Sequence, residues 1–168
     1  CSVYISGKVT SEIIRCIEDN LGSGQWGEVT EKAKTTLVPP VTTKEKRIFI
    51  EREDALQSSL KMGCFVMDRH HPDFLKARVM VTLFGGYFGS RLMSNIREDK
   101  GYTYGIGAGI VSYPETGILT VSTEAANEYV DSIITEVYRE MDKLCNDLVP
   151  QEELEMVKNY MLGDLCRS

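Results

Sequence analysis

Two runs of strand-forming residues flank a short turn in the segment YTYGIGAGIVSYPETGILTVSTEA, Tyr102–Ala125. The turn sequence PETG supplies proline and glycine, the residues that most often break a strand and reverse the chain. We therefore predict an antiparallel hairpin, with YTYGIGAGIVSY as its first strand and GILTVSTEA as its second.

The two faces of the first predicted strand differ sharply, because side chains alternate along a strand. One face carries the larger residues Tyr102, Tyr104, Ile106 and Ala108. The other face carries Gly105, Gly107 and Gly109. Glycine weakens a strand interior, so three on one face indicate that something approaches closely: a helix of the same domain or a bound extended chain.

Outside the hairpin, patterning predicts further strands over SVYIS, RIFIER and LQSSLKMGCFVM, with Leu60 and Met62 on an apolar face. Helices are predicted after Thr10 or Ser11, from Pro72 to Gly86, from Ser90 to Asp99, from Asn127 to Cys145, and from Pro150 onward. The first helix has an apolar stripe that we expect to be buried, formed by Ile13, Ile14, Ile17 and Leu21. A long connector is predicted from Gly22 to Lys46, held down by Trp26 and Leu37.

These elements do not alternate regularly between strand and helix, which argues against a doubly wound parallel sheet. We predict an α+β fold, a two-layer sandwich in which helices pack on one face of a mostly antiparallel sheet. The 168 residues correspond to a single domain. The chain begins inside a predicted strand and ends inside a predicted helix, so we expect it to be a fragment of a longer protein.

The net charge and the cysteine content indicate which partners and which cellular compartment suit this protein. The net charge of −6 argues against a nucleic-acid partner, and no apolar run reaches the roughly 18 residues that a membrane helix requires. The five cysteines are odd in number and form no Cys-x-x-Cys pair, which predicts buried free thiols. Unpaired thiols favour a reducing compartment, and hence the cytoplasm.

Metal and phosphate sites are not indicated by this sequence. His70 and His71 are the only histidines, and adjacent histidines cannot occupy one helix face as the zinc motifs require. The glycine-rich stretches FGGYFGS and GIGAG lack the lysine of a phosphate loop, or continue into a strand rather than a helix. We therefore expect no metal ligand and no nucleotide-binding residue in this segment.

Arg97 and Tyr104 allow two interpretations from the residues alone. Arg97 ends a predicted helix, where its charge complements the helix dipole, and Tyr104 opens the glycine-bearing strand. In the structural interpretation the arginine caps backbone carbonyls and the tyrosine is half buried in the core. In the functional interpretation both groups contact a bound ligand.

A wider block favours the functional interpretation. The run LFGGYFGSRLMSNIREDKGYTYGIGAGI, residues 83–110, resembles the C-terminal domain of the pitrilysin, insulinase and mitochondrial processing peptidase family. The shared pattern is a Leu-Gly-Gly turn, then Ser-Arg-Leu, then an arginine followed seven residues later by a tyrosine. Arg97 and Tyr104 fall on those two positions. Departures from the pattern are small, with Phe84 and Tyr102 where leucine is commoner.

The resemblance implies a function for the parent protein. Members are zinc endopeptidases built from paired α+β domains, and a preceding domain holds zinc in a His-x-x-Glu-His motif. That motif is missing here, so this chain is expected to be inactive alone and to hold no zinc. The expected partners are an unfolded peptide, the zinc-bearing domain, and a second subunit in a homo- or heterodimer.

The resemblance also implies roles for individual residues. Tyr104 is expected to contact the oxyanion or carbonyl of the substrate, and Arg97 to contact the substrate backbone. The glycine face and Ser90–Leu92 are expected to be structural and to pack a helix on the sheet. Two alternatives stay open: a subunit without zinc that complements an active partner, and a non-catalytic scaffold or peptide-binding relative.

Overall fold

The computed structural model describes residues 3–22 and 44–167, which fall into two compact units, Cys1–Pro40 and Val41–Ser168. In the first unit, α1 spans Ser11–Ile17 and continues as a π-helical turn over Glu18–Gly22. The Thr10 side chain accepts a hydrogen bond from the Ile13 amide at 3.4 Å and so caps the helix, which confirms the predicted helix start after Thr10.

Two predictions for this first unit are wrong. Residues 3–6 form no strand, and no residue of α1 is buried, so the expected buried stripe faces solvent. A seven-residue helix buries its apolar side only against a neighbouring element, and no strand is present among the unit's described residues. The predicted connector, with Trp26 and Leu37, lies outside the described residues apart from its ends.

The second unit contains an antiparallel sheet of three strands among its described residues. The strands are β1 (Ser58–Val66), β2 (Thr103–Ser112) and β3 (Gly117–Ala125), in the order β1-β3-β2. The predicted β2–β3 hairpin and the predicted strand over LQSSLKMGCFVM are confirmed. RIFIER forms no strand, and its Ile48, Phe49 and Ile50 are strongly exposed, because no neighbouring strand pairs with it in this part of the chain.

The helices of the second unit follow the predicted order. They comprise α2 (Phe74–Val81) with a π-helical turn (Thr82–Gly86), a π-helix (Met93–Asp99), α3 (Val130–Asn146) after a 3₁₀ turn (Asn127–Tyr129), and α4 (Gln151–Leu165). Gly101 ends the Met93–Asp99 helix at φ +66°, a left-handed conformation that glycine adopts without strain. Across the described residues, no helix is both long and apolar enough to cross a membrane.

The core lies between these helices and one face of the sheet. Ile106 of β2 and Val121 of β3 pack in it with Phe84, Ile96 and Ile133 of the helices, all at most 4% exposed. Burial of such apolar side chains against a single sheet face is the main stabilising contribution in a two-layer domain. The predicted α+β sandwich is confirmed.

The helical turn Thr82–Gly86 approaches the sheet on the face of β2 that carries Ile106 and Ala108. It does not approach on the face that carries the glycines. A Cβ placed on Gly85 would lie 2.6 Å from the Ala108 Cβ, whereas a Cβ on Gly105 or Gly109 would meet nothing within 4 Å. A Cβ on Gly107 would lie 3.7 Å from the Gly85 carbonyl oxygen, which is an ordinary van der Waals contact. The expectation that the glycine face packs a helix is therefore wrong, since the residue that permits close packing is Gly85.

The predicted burial of the cysteines is also wrong. Cys16, Cys64, Cys145 and Cys166 are free thiols, as expected, but all four are exposed. Cys145 is the penultimate residue of α3, and Cys166 directly follows α4, so both lie at helix ends. Cys1 lies outside the described residues.

Candidate functional site

Tyr104 lies in a β-bulge at the start of β2. Two residues of β2, Tyr104 and Gly105, oppose the single residue Glu124 of β3. The flanking Thr103 and Ile106 both point into the domain, at 8% and 4% exposure, while Tyr104 is 91% exposed. The predicted common face of Tyr104 and Ile106 is therefore wrong, because the extra residue interrupts the alternation between them.

Two threonine hydroxyls lie behind this bulge. The Thr103 Oγ1 is 2.6 Å from the Glu124 carbonyl oxygen, and the Thr123 Oγ1 is 2.8 Å from the Gly105 carbonyl oxygen. The two hydroxyl oxygens are 2.8 Å apart, and the Gly105 amide donates to Thr103 Oγ1 at 3.2 Å. Both side chains are buried, so these bonds fix the backbone on either side of Tyr104.

Arg97 and Tyr104 lie side by side, as their spacing on a helix and the following strand allows. The Arg97 Cζ is 5.6 Å from the centre of the Tyr104 ring and 4.6 Å from that of Phe88. These are cation–π distances, which favour a guanidinium held between two rings. Glu98 Oε1 lies 3.9 Å from Arg97 NH1, and the Arg97 side chain is 28% exposed.

The Met93–Asp99 helix that carries Arg97 is tied to α3 by buried polar groups. The Asn95 amide donates to Glu136 Oε2 at 3.1 Å and to Glu140 Oε1 at 2.7 Å. The Lys100 ammonium lies 3.7 Å from Glu136 Oε2. Because both glutamates are under 9% exposed, their carboxylates need these partners, and the contacts fix the helix against α3.

The buried polar residues of α3 were not predicted from the sequence. Glu136 and Glu140 stand with Ile133 and Val137 at positions i, i+3, i+4 and i+7, which share one face of a helix. This spacing could have predicted that the two glutamates are buried and therefore need hydrogen-bond partners, because they share a helix face with apolar residues. No comparable signal marks the threonines behind the bulge.

The Ser90–Leu92 segment has the structural role that the resemblance implied. Ser90 and Leu92 are buried, and Arg91 forms two 2.8 Å hydrogen bonds with the Glu153 carboxylate of α4. Those hydrogen bonds raise the pKa of Arg91 above its usual range. The arginine therefore joins α4 to the helix that leads to Arg97.

Tyr104 stands between two depressions of different character. A polar groove of about 530 Å³ lies over the open sheet face, lined by Gln57, Ser59, Lys61, Tyr104, Gly105, Ser122, Thr123 and Glu124. A largely apolar hollow of about 340 Å³ lies at the edge of β2, lined by Gly85, Gly86, Tyr87, Phe88, Met93, Gly105 and Ile106. Gly105 borders both, so an extended chain crossing β2 there meets a polar surface on one side and an apolar surface on the other.

The described residues do not fit a zinc site. No group of three or more histidine, cysteine or acidic side chains lies close enough there to hold a metal ion. His70 and His71 lie in an exposed turn, where the His70 amide donates to Asp68 Oδ1 and the His71 Nδ1 accepts from the Asp73 amide. These histidines shape the entry to α2.

Comparison with known proteins identifies the family. Residues 1–161 match the family model described as the peptidase M16 inactive domain. The chain belongs to this family. The match confirms the resemblance drawn from the Arg97–Tyr104 block, and it accounts for the missing zinc motif of this M16 inactive domain.

Relatives of this M16 inactive domain are named as zinc proteases. The chain is 26% identical over 167 residues to the uncharacterized zinc protease YmxG of Bacillus subtilis, covering 99% of this chain and 39% of that protein. It is 27% identical over 90 residues to an uncharacterized zinc protease of Rickettsia bellii, covering 54% of this chain and 22% of that protein. The chain thus spans about two-fifths or less of the length of these relatives.

Solved structures share the fold of this M16 inactive domain. The peptidase M16 inactive domain from Pseudomonas fluorescens superposes with a TM-score of 0.62 at 27% identity, covering 67% of this chain and 27% of that chain. A protease from Helicobacter pylori gives a TM-score of 0.68 at 14% identity, covering 95% of this chain and 39% of that chain. At that lower identity the Helicobacter structure supports the fold alone.

Proposed function

We propose that this domain supplies the substrate-binding and transition-state contacts of a zinc metalloendopeptidase. The observation that carries the proposal is the pairing of the Arg97 guanidinium with the Tyr104 ring, 5.6 Å apart, at a solvent-facing bulge. A phenol that is 91% exposed contributes little to its own domain's core, so its position favours contact with another molecule.

Tyr104 has the chemistry to stabilise a reacting peptide bond. Attack on a peptide carbonyl places negative charge on its oxygen, and a hydroxyl donor held at that oxygen lowers the barrier. The phenol hydroxyl donates one hydrogen bond. In the proposal, Tyr104 donates to the developing oxyanion.

Arg97 is suited to holding the substrate backbone in register. Its guanidinium presents donors in a rigid plane, and the rings of Phe88 and Tyr104 restrict its orientation. A donor fixed in this way lowers the entropy lost when an extended peptide is aligned with the reacting groups. In the proposal, Arg97 donates to a substrate carbonyl one or two residues from the bond that Tyr104 serves.

The proposal assigns the metal to another domain of the parent protein. Residues 1–168 are then one C-terminal-type domain, and a preceding domain carries zinc in a His-x-x-Glu-His motif. Zinc polarises the peptide carbonyl and activates the attacking water when it is bound. The unfolded peptide lies between the two domains, with this chain forming the wall opposite the metal.

Replacement of Arg97 by alanine in the full-length protein tests the proposal. We expect kcat/KM for an unfolded peptide to fall about 10- to 100-fold, the usual loss when a charged hydrogen-bond donor to substrate is removed. The measurement is steady-state hydrolysis of a fluorogenic peptide, with bound zinc determined for each variant. Arg78→Ala, which changes an exposed arginine of α2, is the matched control and should leave kcat/KM within about twofold.

The outcome for Arg97→Ala separates the functional assignments. A full-length protein that binds zinc and hydrolyses peptide equally well with and without Arg97 contradicts the substrate-binding role. If the parent chain has no zinc motif, and activity appears only after mixing with a zinc-bearing partner, this domain belongs to a complementing subunit. A parent protein that binds peptide without hydrolysing it is a scaffold relative.

A further inference from the structure

We infer that Thr103 and Thr123 are positioning residues that hold the bulge open and so turn Tyr104 toward the substrate. The inference rests on the proposed function and deepens it, because it names the groups through which the domain aims its phenol. Neither threonine touches the substrate surface through its hydroxyl, since both hydroxyls lie behind the strand. They act through the backbone of Tyr104 and Gly105.

The register of β2 shows what the bulge does. Ile106 is buried, and in an uninterrupted strand the residue two positions earlier shares its face. Regular pairing would therefore place Tyr104 against the helices, which is what alternation along the sequence predicts. One extra residue between Thr103 and Ile106 reverses this orientation and leaves Tyr104 on the open face.

The hydroxyl network spans this extra residue. Thr103 and Gly105 lie on either side of Tyr104, and each is hydrogen-bonded to β3. The Thr103 hydroxyl donates to the Glu124 carbonyl at 2.6 Å, and the Gly105 carbonyl accepts from the Thr123 hydroxyl at 2.8 Å. The two hydroxyl oxygens are 2.8 Å apart, so either hydroxyl can donate to the other in place of its bond to a carbonyl. In either order of the hydroxyl protons, the network connects residues 103–105 with residues 123–124.

Because the two hydroxyls are buried, their hydrogen bonds stabilise the bulge. Thr103 and Thr123 are 8% and 6% exposed, so a hydroxyl that loses its partner cannot turn to water. The bulged backbone offers each hydroxyl a carbonyl acceptor. Removal of the Thr123 hydroxyl takes away the 2.8 Å donor to the Gly105 carbonyl. The Thr103 hydroxyl, 3.1 Å from that carbonyl and 2.6 Å from the Glu124 carbonyl, has one proton and cannot serve both, so the preference for the bulge over regular pairing weakens.

The test is a double-mutant cycle between Thr123→Val and Tyr104→Phe in the full-length protein, measured as kcat on a fluorogenic peptide. We expect Thr123→Val to lower kcat about 10- to 100-fold in the wild-type background, the loss typical of a displaced catalytic group. In the Tyr104→Phe background the same change should lower kcat less than about twofold, since no phenol remains to be misplaced. Thr123→Ser, which keeps the hydroxyl, should restore most of the activity.

Two further measurements make the cycle specific. Thr120→Val is the matched control, because it makes the same change on β3 at a threonine whose hydroxyl is 3.4 Å from the Gly109 carbonyl, outside the bulge. It should leave kcat within about twofold. Fluorotyrosine incorporated at position 104 should show a shifted ¹⁹F resonance in Thr123→Val and an unchanged one in Thr120→Val.

Each result decides a different claim. An equal loss of kcat from Thr123→Val in both backgrounds overturns the inference, since the effect then reflects general destabilisation. A Tyr104→Phe protein with wild-type kcat overturns the proposed function instead. In that case the ¹⁹F shift alone decides whether the threonines orient Tyr104, and an unchanged resonance in Thr123→Val refutes the inference.

Discussion

Tyr104→Phe in the full-length protein is expected to lower kcat by roughly 10²–10³, the usual loss when one oxyanion donor is removed. The free energy of unfolding should stay within about 0.5 kcal/mol of wild type, because the side chain is 91% exposed and its hydroxyl lies outside the core. A loss of kcat without a loss of stability separates a chemical role from a structural one.

The control for the kinetic measurement is a second exposed tyrosine that lies away from the candidate site. Tyr138 on α3 is 59% exposed, so Tyr138→Phe removes a similar hydroxyl elsewhere on the domain and should leave kcat unchanged. Single-turnover rates on a fluorogenic peptide, compared with melting curves, give both quantities. Wild-type kcat in Tyr104→Phe would end the assignment of an oxyanion contact to this residue.

The second large effect is structural. Gly85→Ala should destabilise the domain by about 3 kcal/mol, because the new methyl carbon would lie 2.6 Å from the Ala108 Cβ and 2.7 Å from its backbone nitrogen. Backbone atoms cannot move aside as a flexible side chain can. The helix turn that ends at Gly86 would have to lift off the sheet, and the apolar core behind it would open.

Gly109→Ala is the matched control, since a methyl group there meets nothing within 4 Å. Alanine also costs less backbone entropy than glycine on folding, so this change should be neutral or slightly stabilising. Chemical unfolding followed by circular dichroism measures both variants. Comparable destabilisation by the two substitutions would contradict the close packing of Gly85 on Ala108, because it would mean that the helices pack on the glycine face.

The sequence predicted what depends on local pattern. The β2–β3 hairpin agrees with its predicted bounds to within one residue, because the turn residues and alternation are properties of the segment itself. The resemblance located Arg97 and Tyr104, and the structure brings their side chains together. Gly101, two residues after the predicted end of the helix of Arg97, has the positive φ typical of a helix terminator.

What the sequence could not predict depends on distant partners. The bulge that turns Tyr104 outward is held by Thr123, nineteen positions along the chain, and nothing in the local pattern of β2 signals it. RIFIER has strand-like composition, but a strand also needs a neighbour that offers hydrogen bonds. The buried glutamates of α3 pair with Arg139 and Lys143 of the same helix, but also with Asn95 and Lys100 of a distant segment, and the distant contacts cannot be predicted from α3 alone.

Photocrosslinking from position 104 shows whether the surface at Tyr104 contacts a bound peptide. With benzoylphenylalanine at 104 in the full-length protein, we expect light-dependent attachment of an unfolded peptide substrate, and excess unlabelled peptide should suppress it. The same group at the exposed position 138 on α3 should attach little peptide. Equal attachment from both positions would contradict the account, because the surface at Tyr104 would then have no preference for the substrate.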